Sequence, residues 1–220
     1  EKFYRLILEI IEDKLDSKIS VNEIISELEN NDLIYQDISV QDLYYFKHIL
    51  TRDVAYNTIL KSNKKILHKL SAEIIEQNFQ YSIENFYYDL AIHYDIAGDL
   101  ENTLKYLTLS SDRAKDLFDN TQAIKFYNRM LDLIKPNDLK QVIGINLKIS
   151  EIYSLIGEWQ KCYEVLINIL NVAEKHKMSF ELIEINSALG EILYLKGENI
   201  QARKILSSQM PLLNEHPNTA

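Results

Sequence analysis

Side chains able to carry chemistry are few in this chain, and their spacing argues against catalysis. His93 and Asp95 are two apart in a stretch of helical spacing, so they point to different faces and make a poor metal pair. No serine sits in the glycine-framed turn that exposes a hydrolase nucleophile. Cys162 lies mid-helix beside Tyr163, where a core role is expected. One thiol can form no internal disulfide and is too few for a cysteine metal site. No Gly-x-x-x-x-Gly-Lys-Ser/Thr phosphate loop occurs, and 5 glycines in 220 residues leave no candidate for one. The chain is expected to be no enzyme and to hold neither metal nor cofactor.

Charge narrows the partners. The net charge is −9, and residues 1–60 carry −6 of it, from 6 Lys/Arg against 12 Asp/Glu. Such a surface repels a phosphate backbone, so no nucleic acid is expected. Lys61, Lys64, Lys65 and Lys69 form a basic cluster with His68 among them. It reads either as a solvated helix face or as a contact for an acidic neighbour. No apolar run approaches the roughly 18 residues that span a bilayer, and no basic region followed by an apolar block opens the chain. A cytoplasmic protein without membrane association is expected.

The elements that must position these residues are mostly helices, as 5 Gly and 3 Pro in this length suggest. Phe3, Leu6, Ile7, Ile10, Ile11 and Leu15 make an amphipathic stripe from the first residues onward, as in a piece cut from a longer polypeptide. Ser20 and Glu23 read as a capping box for a second helix ending near Asn30-Asn31. Leu33-Ile34-Tyr35 and Leu43-Tyr44-Tyr45-Phe46 are strand-forming runs able to pair as a hairpin. Two helices and a wing outline a winged helix, but its recognition helix offers Glu23, Glu27 and Glu29 and no Lys or Arg, so a structural or protein-contacting role is expected.

Short helices follow through Ile49 to Leu60 and Ile66 to Ile75. Helix hairpins then turn at Gly98-Asp99, Gly157-Glu158 and Gly197-Glu198, where glycine can take the left-handed cap. A further helix runs from Ala123 to Ile134 and ends at Pro136. Residues 143–166 and 183–206 align at a spacing of 40 with 9 identities in 24 positions, an internal repeat.

These units resemble tetratricopeptide repeats, through Leu90, Tyr94, Gly98 and Asp99; through Ile149, Tyr153, Gly157, Glu158 and Leu166; and through Leu189, Gly190, Gly197, Ala202 and Leu206. The resemblance implies a mostly all-α, tetratricopeptide-like α-α superhelix behind a small winged-helix-like segment. It departs in its period, 40 residues where 34 is usual, and in the spacing of 59 from Gly98 to Gly157, which requires an extra helix. The same resemblance places Tyr88, Ile92, Asp95, Leu147, Glu151, Ser154, Ser187, Glu191 and Tyr194 on the concave face. Acidic, apolar and hydroxyl-bearing positions there suit a basic or amphipathic protein or peptide ligand, or simply solvent.

Phe46-Lys47-His48, Arg52-Asp53-Val54-Ala55-Tyr56, Leu60, Lys61, Ser62, Lys65, His68 and Leu70 resemble the end of the regulatory module of bacterial STAND-type signalling ATPases. Members of that family join a nucleotide domain through a winged helix to a tetratricopeptide array, and many carry an adenylate or guanylate cyclase or a kinase domain upstream. The resemblance implies a sensor and interaction scaffold that relays partner binding to upstream domains of the same polypeptide. It also implies a phosphate contact for His48; local packing at a strand end is the alternative for that residue. The corresponding segments are 1–48 (winged-helix-like), 49–80 (connecting helices), 81–210 (helical repeats) and 211–220 (tail). A transcription regulator using the winged helix on DNA is the competing reading.

Overall fold

The computed structural model describes residues 2–15 and 20–208; the expected tail, 211–220, lies outside them. The chain divides into two compact units, residues 1–106 and 107–220.

In the first unit, β1 (Lys2–Tyr4) leads into α1 (Arg5–Leu15), followed by α2 (Val21–Asn30), β2 (Ile34–Gln36) and β3 (Leu43–Phe46). The expected hairpin forms, with Tyr35 opposite Tyr45 in an antiparallel register. Asp37 holds its tip by accepting from the Ser39 amide at 2.7 Å and the Val40 amide at 3.0 Å. β1 completes a three-stranded sheet of order β1-β3-β2, setting Phe3 opposite Tyr44. The first helix therefore begins at Arg5 and not at the chain's start. Phe3 stacks on Tyr44 at 5.6 Å and meets Phe46 at 5.5 Å, a cross-strand gain available only to extended backbone. Val21, Ile25, Ile34 and Tyr44 are the core beneath.

The capping box is also corrected. Ser20 stands at the N-cap without a side-chain cap bond, and the Val21 amide donates to the Glu12 carboxylate of α1 at 3.0 Å. A carboxylate suits that first amide because it carries the charge that a helix N-terminus favours. Glu23, Glu27 and Glu29 are exposed on α2.

α3 (Ile49–Thr58), α4 (Lys61–Asn78), a 3-10 segment (Gln80–Phe86) and α5 (Tyr87–Ala97) follow, and α6 (Leu100–Asp116) contains the division between the units. α3 buries none of its residues. α4 buries Ala72, Ile74 and Ile75, and α5 buries Leu90, Ala91 and Tyr94. The helix leading to the Gly98 turn becomes α-helical only at Tyr87. The preceding tighter turn is pinned by aromatic packing of Phe86 on Phe79 at 4.7 Å and on Tyr4 at 5.5 Å.

The second unit continues with α7 (Asn120–Leu133), α8 (Leu139–Leu155), α9 (Trp159–Lys175), α10 (Ser179–Leu195) and α11 (Asn199–Ser208). α7 is the extra helix that the wide glycine spacing demands. Consecutive helices from α7 to α11 pack on one another, and α10 also reaches α8, the arrangement of tetratricopeptide-like helical repeats. Ile143, Cys162, Leu166, Ile169 and Ala173 bury against Ile185, Leu189 and Ile192 of α10. The secondary structure of the described residues is thus helical apart from the small N-terminal sheet.

The turns explain the spacing of the repeats. At Gly157 (φ 78) the amide donates to the Ser154 carbonyl while the Glu158 amide reaches Tyr153; Gly197 repeats this with Tyr194 and Leu193. Asp119 and Asp138 cap the next helices by accepting from the amides of Gln122 and Gln141. Lys177 occupies the same left-handed position (φ 55) between α9 and α10, with the same pair of bonds to Glu174 and Ala173. A lysine there carries a Cβ penalty that glycine lacks. Lys177→Gly is therefore expected to stabilise the chain by about 0.5–1 kcal/mol, a rise in urea midpoint at unchanged slope.

Candidate functional site

The repeat geometry brings part of the expected groove together in the second unit. Leu147, Glu151 and Ser154 share one face of α8, and Ser187, Glu191 and Tyr194 occupy the equivalent face of α10, because residues four and seven apart return to the same side of a helix. A cleft of about 440 Å³ is lined by Leu147, Glu151, Ser154 and Glu191 together with Lys115, Ser150 and Cys162. Lys115 of α6 donates to the Glu151 carboxylate at 2.9 Å, a neighbour 36 residues away that spacing along α8 could not reveal. Cys162 is buried as expected. Burial, and then the Glu191 carboxylate, push its thiol up to about 11, so it stays protonated near neutral pH and is no nucleophile. Ser187, Glu191 and Tyr194 also line a second, more apolar recess of about 870 Å³ with Gly190, Ala202 and Leu206.

In the first unit, Tyr88 and Ile92 are exposed on α5 and Asp95 is half-buried. Ile92 borders a smaller cavity of about 220 Å³ whose wall includes Lys2, Tyr4, His68, Asp89 and His93. Here the structure assembles a group that local spacing does not show. The Tyr56 hydroxyl of α3 lies 2.9 Å from His68 Nε2, and His68 Nδ1 lies 2.9 Å from His93 Nδ1. Lys64 rests over the Tyr56 ring at 3.9 Å from its centroid. One proton bridges the two Nδ1 atoms and a second lies between Nε2 and the phenol, so the pair is complete while uncharged. Burial, then the neighbouring His68, lower the His93 pKa to about 4; burial and then Lys64 lower that of His68. Burial raises the Asp89 carboxyl against the opposing pull of Lys2.

Beside this chain the Glu76 carboxylate accepts from the hydroxyls of Tyr94, at 2.6 Å, and of Tyr106. The two rings stack with centroids 5.8 Å apart, and Lys105 stands 3.7 Å from the same carboxylate. Burial first, and then the bonds to Glu76, raise both phenols. The sequence offered Tyr94 only as a repeat position; its partner is 18 residues away on α4.

His48 is exposed at the start of α3, where its side chain makes no cap bond and its carbonyl accepts from the Thr51 amide. In the basic cluster, Lys61, Lys65 and Lys69 are exposed while Lys64 covers Tyr56. Lys69 is also close enough to help lower the Asp99 pKa, behind the hydrogen bonds Asp99 receives from Asn102. His93 turns its Nδ1 to His68. Among the described residues, no three His, Cys, Asp or Glu side chains are grouped to hold a metal ion, and no helix is long and apolar enough to cross a membrane.

No family model and no curated protein matches the chain. Among solved structures it is similar to MamA, at 14% identity and a TM-score of 0.44 over 72% of this chain and 95% of that one. It is likewise similar to a putative kinesin light chain from Podosopora anserina with nearly identical tetratricopeptide-like repeats, at 12% identity and a TM-score of 0.43 over 77% of this chain and 94% of that one.

Proposed function

We propose that the chain is a protein-interaction scaffold whose second unit takes a basic or amphipathic peptide in the cleft between α8 and α10. One observation carries this reading. The 40-residue repeat sets Glu151 and Glu191 at equivalent positions in one recess whose floor is apolar. An acidic rim over an apolar floor favours a ligand with the opposite charge and an aliphatic face. Lys115 of the same lining already pairs with Glu151, so Glu191 is the acidic position left to a ligand's cation in this reading.

In the wider setting that the junction at 46–70 suggests, the scaffold is the sensor portion of a cytoplasmic STAND-type signalling ATPase or nucleotide cyclase, and contributes no catalytic group itself. Phe46 to Leu70 joins the sheet, α3 and the basic start of α4, which suits it to relay partner binding to an upstream nucleotide domain, with His48 as its phosphate contact. The winged-helix-like segment also supports a second reading, a DNA-binding regulator. The exposed Glu23, Glu27 and Glu29 on α2 disfavour it.

The test is binding of a labelled amphipathic peptide array, graded in net positive charge, to the full chain. Joint replacement of Glu151 and Glu191 by alanine is expected to weaken the best basic binder about tenfold and to flatten its salt dependence. Unchanged affinity would remove the cleft from the proposal. A gel shift with duplex DNA at low salt decides the second reading, and a shifted band would favour it.

A further inference from the structure

The 40-residue period that relates α8 to α10 also relates α9 to α11. Each position on the first helix pair therefore has an equivalent on the second, and the two surfaces can be compared. On the α8–α9 pair sits α10, which buries Ile185, Leu189 and Ile192, at i, i+4 and i+7, against Cys162, Leu166 and their neighbours. Beneath it Leu166 is 0% exposed.

One period later Ala202 and Leu206 stand where Cys162 and Leu166 stand. Leu206 is 45% exposed and lines, with Gly190 and Tyr194, the apolar recess of about 870 Å³. Gly190 admits the leucine: a Cβ at that position would come 2.6 Å from the Leu206 side chain. The recess is the seat of α10 displaced by one repeat, continuous in design with an interface already made, and uncovered among the described residues.

We propose that this seat on α10–α11 binds an amphipathic α-helix of a partner protein, aliphatic at i, i+4 and i+7 and basic on the side that meets Glu191. A helix is the occupant because a helix of that pattern fills the equivalent seat one repeat earlier. Glu191 of α10 and Arg203 of α11 both line the recess, so the basic flank belongs only on the side that meets α10, where the counterpart of Glu191, Glu151, takes a lysine. The seat is separate from the cleft between α8 and α10, although Glu191 borders both.

The probe is a fluorescein-labelled peptide of residues 179–195 carrying Glu184→Lys and Ser187→Lys, titrated with the full chain by anisotropy. Saturable binding is expected. Leu206→Asp should weaken it about tenfold or more, and Leu206→Met should retain it within about threefold, as for an aliphatic anchor in a groove. Circular dichroism melts establish that both variants fold, which the half-exposed position favours. Glu151→Ala should leave this binding unchanged, so the seat and the cleft stand or fall separately. The proposal is overturned by absence of binding, or by binding indifferent to Leu206→Asp. It is equally overturned if binding appears only after residues 209–220 are removed, which makes the chain's own segment the occupant. Self-association lost in Leu206→Asp, without peptide binding, makes it a second copy.

Discussion

Leu166→Ala is expected to cost about 3–4 kcal/mol of unfolding free energy, read as a lower urea midpoint at unchanged slope. Leu166 is fully buried, with α8, α9 and α10 all contributing to its surroundings. Truncation there removes the transfer energy of three carbons and leaves a cavity that three packed helices collapse into only in part. The repeat supplies its own control. Leu206 is the same residue type at the same repeat position but is half-exposed, so Leu206→Ala should cost about 1 kcal/mol or less, in proportion to the area it still buries. Equal costs at the two positions would mean that the seat on α10–α11 is covered in solution.

The second large effect is on pH dependence. In the folded chain burial, and then His68, hold His93 neutral with a pKa of about 4, whereas in the unfolded chain an imidazole titrates near 6.5. Between these values the unfolded state binds a proton that the folded state refuses. Stability is therefore full above about pH 6.5 and falls as the pH drops towards 4, by about 3 kcal/mol from this residue.

His68 is lowered in the same direction by burial and by Lys64. Protonation of both rings would force two N–H groups to face each other across 2.9 Å. The groups around the pair are Tyr56 from α3, Lys64 from α4, Asp89 from α5 and Lys2 from β1. Asp89 opposes the trend. Its carboxyl is raised by burial, so its protonation at low pH favours the folded state.

His93→Gln keeps a hydrogen-bonding partner for His68 and removes the ionisation. Urea denaturation of the parent and variant at intervals from pH 7 to pH 4 is expected to show a parent slope that the variant largely lacks. Parallel profiles would assign the acid sensitivity to other groups.

How much was legible beforehand follows from the range of each interaction. Glycine at 98, 157 and 197 was readable as a helix end because the left-handed cap is a property of a few consecutive residues. Asp138 sits at a helix start for a similarly local reason. Phe3 lies on the amphipathic stripe that continues into α1, yet Lys2 to Tyr4 is extended because the force that extends it comes from Tyr44 and Phe46, some forty residues away. Ser20 makes no side-chain cap bond, and the carboxylate that does meet the start of α2 comes from Glu12 on the preceding helix.

The candidate site divides in the same way. The sequence by itself determined the helical class, the 40-residue period and hence the equivalence of Glu151 with Glu191, since periodicity and turn chemistry are encoded within a few residues of each position. Only the tertiary structure decided that Lys115 meets Glu151, that Tyr56, His68 and His93 form one buried chain, and that Leu206 is uncovered where Leu166 is closed. These depend on which helix lies against which, and burial and pKa are properties of that neighbourhood, not of the residue type.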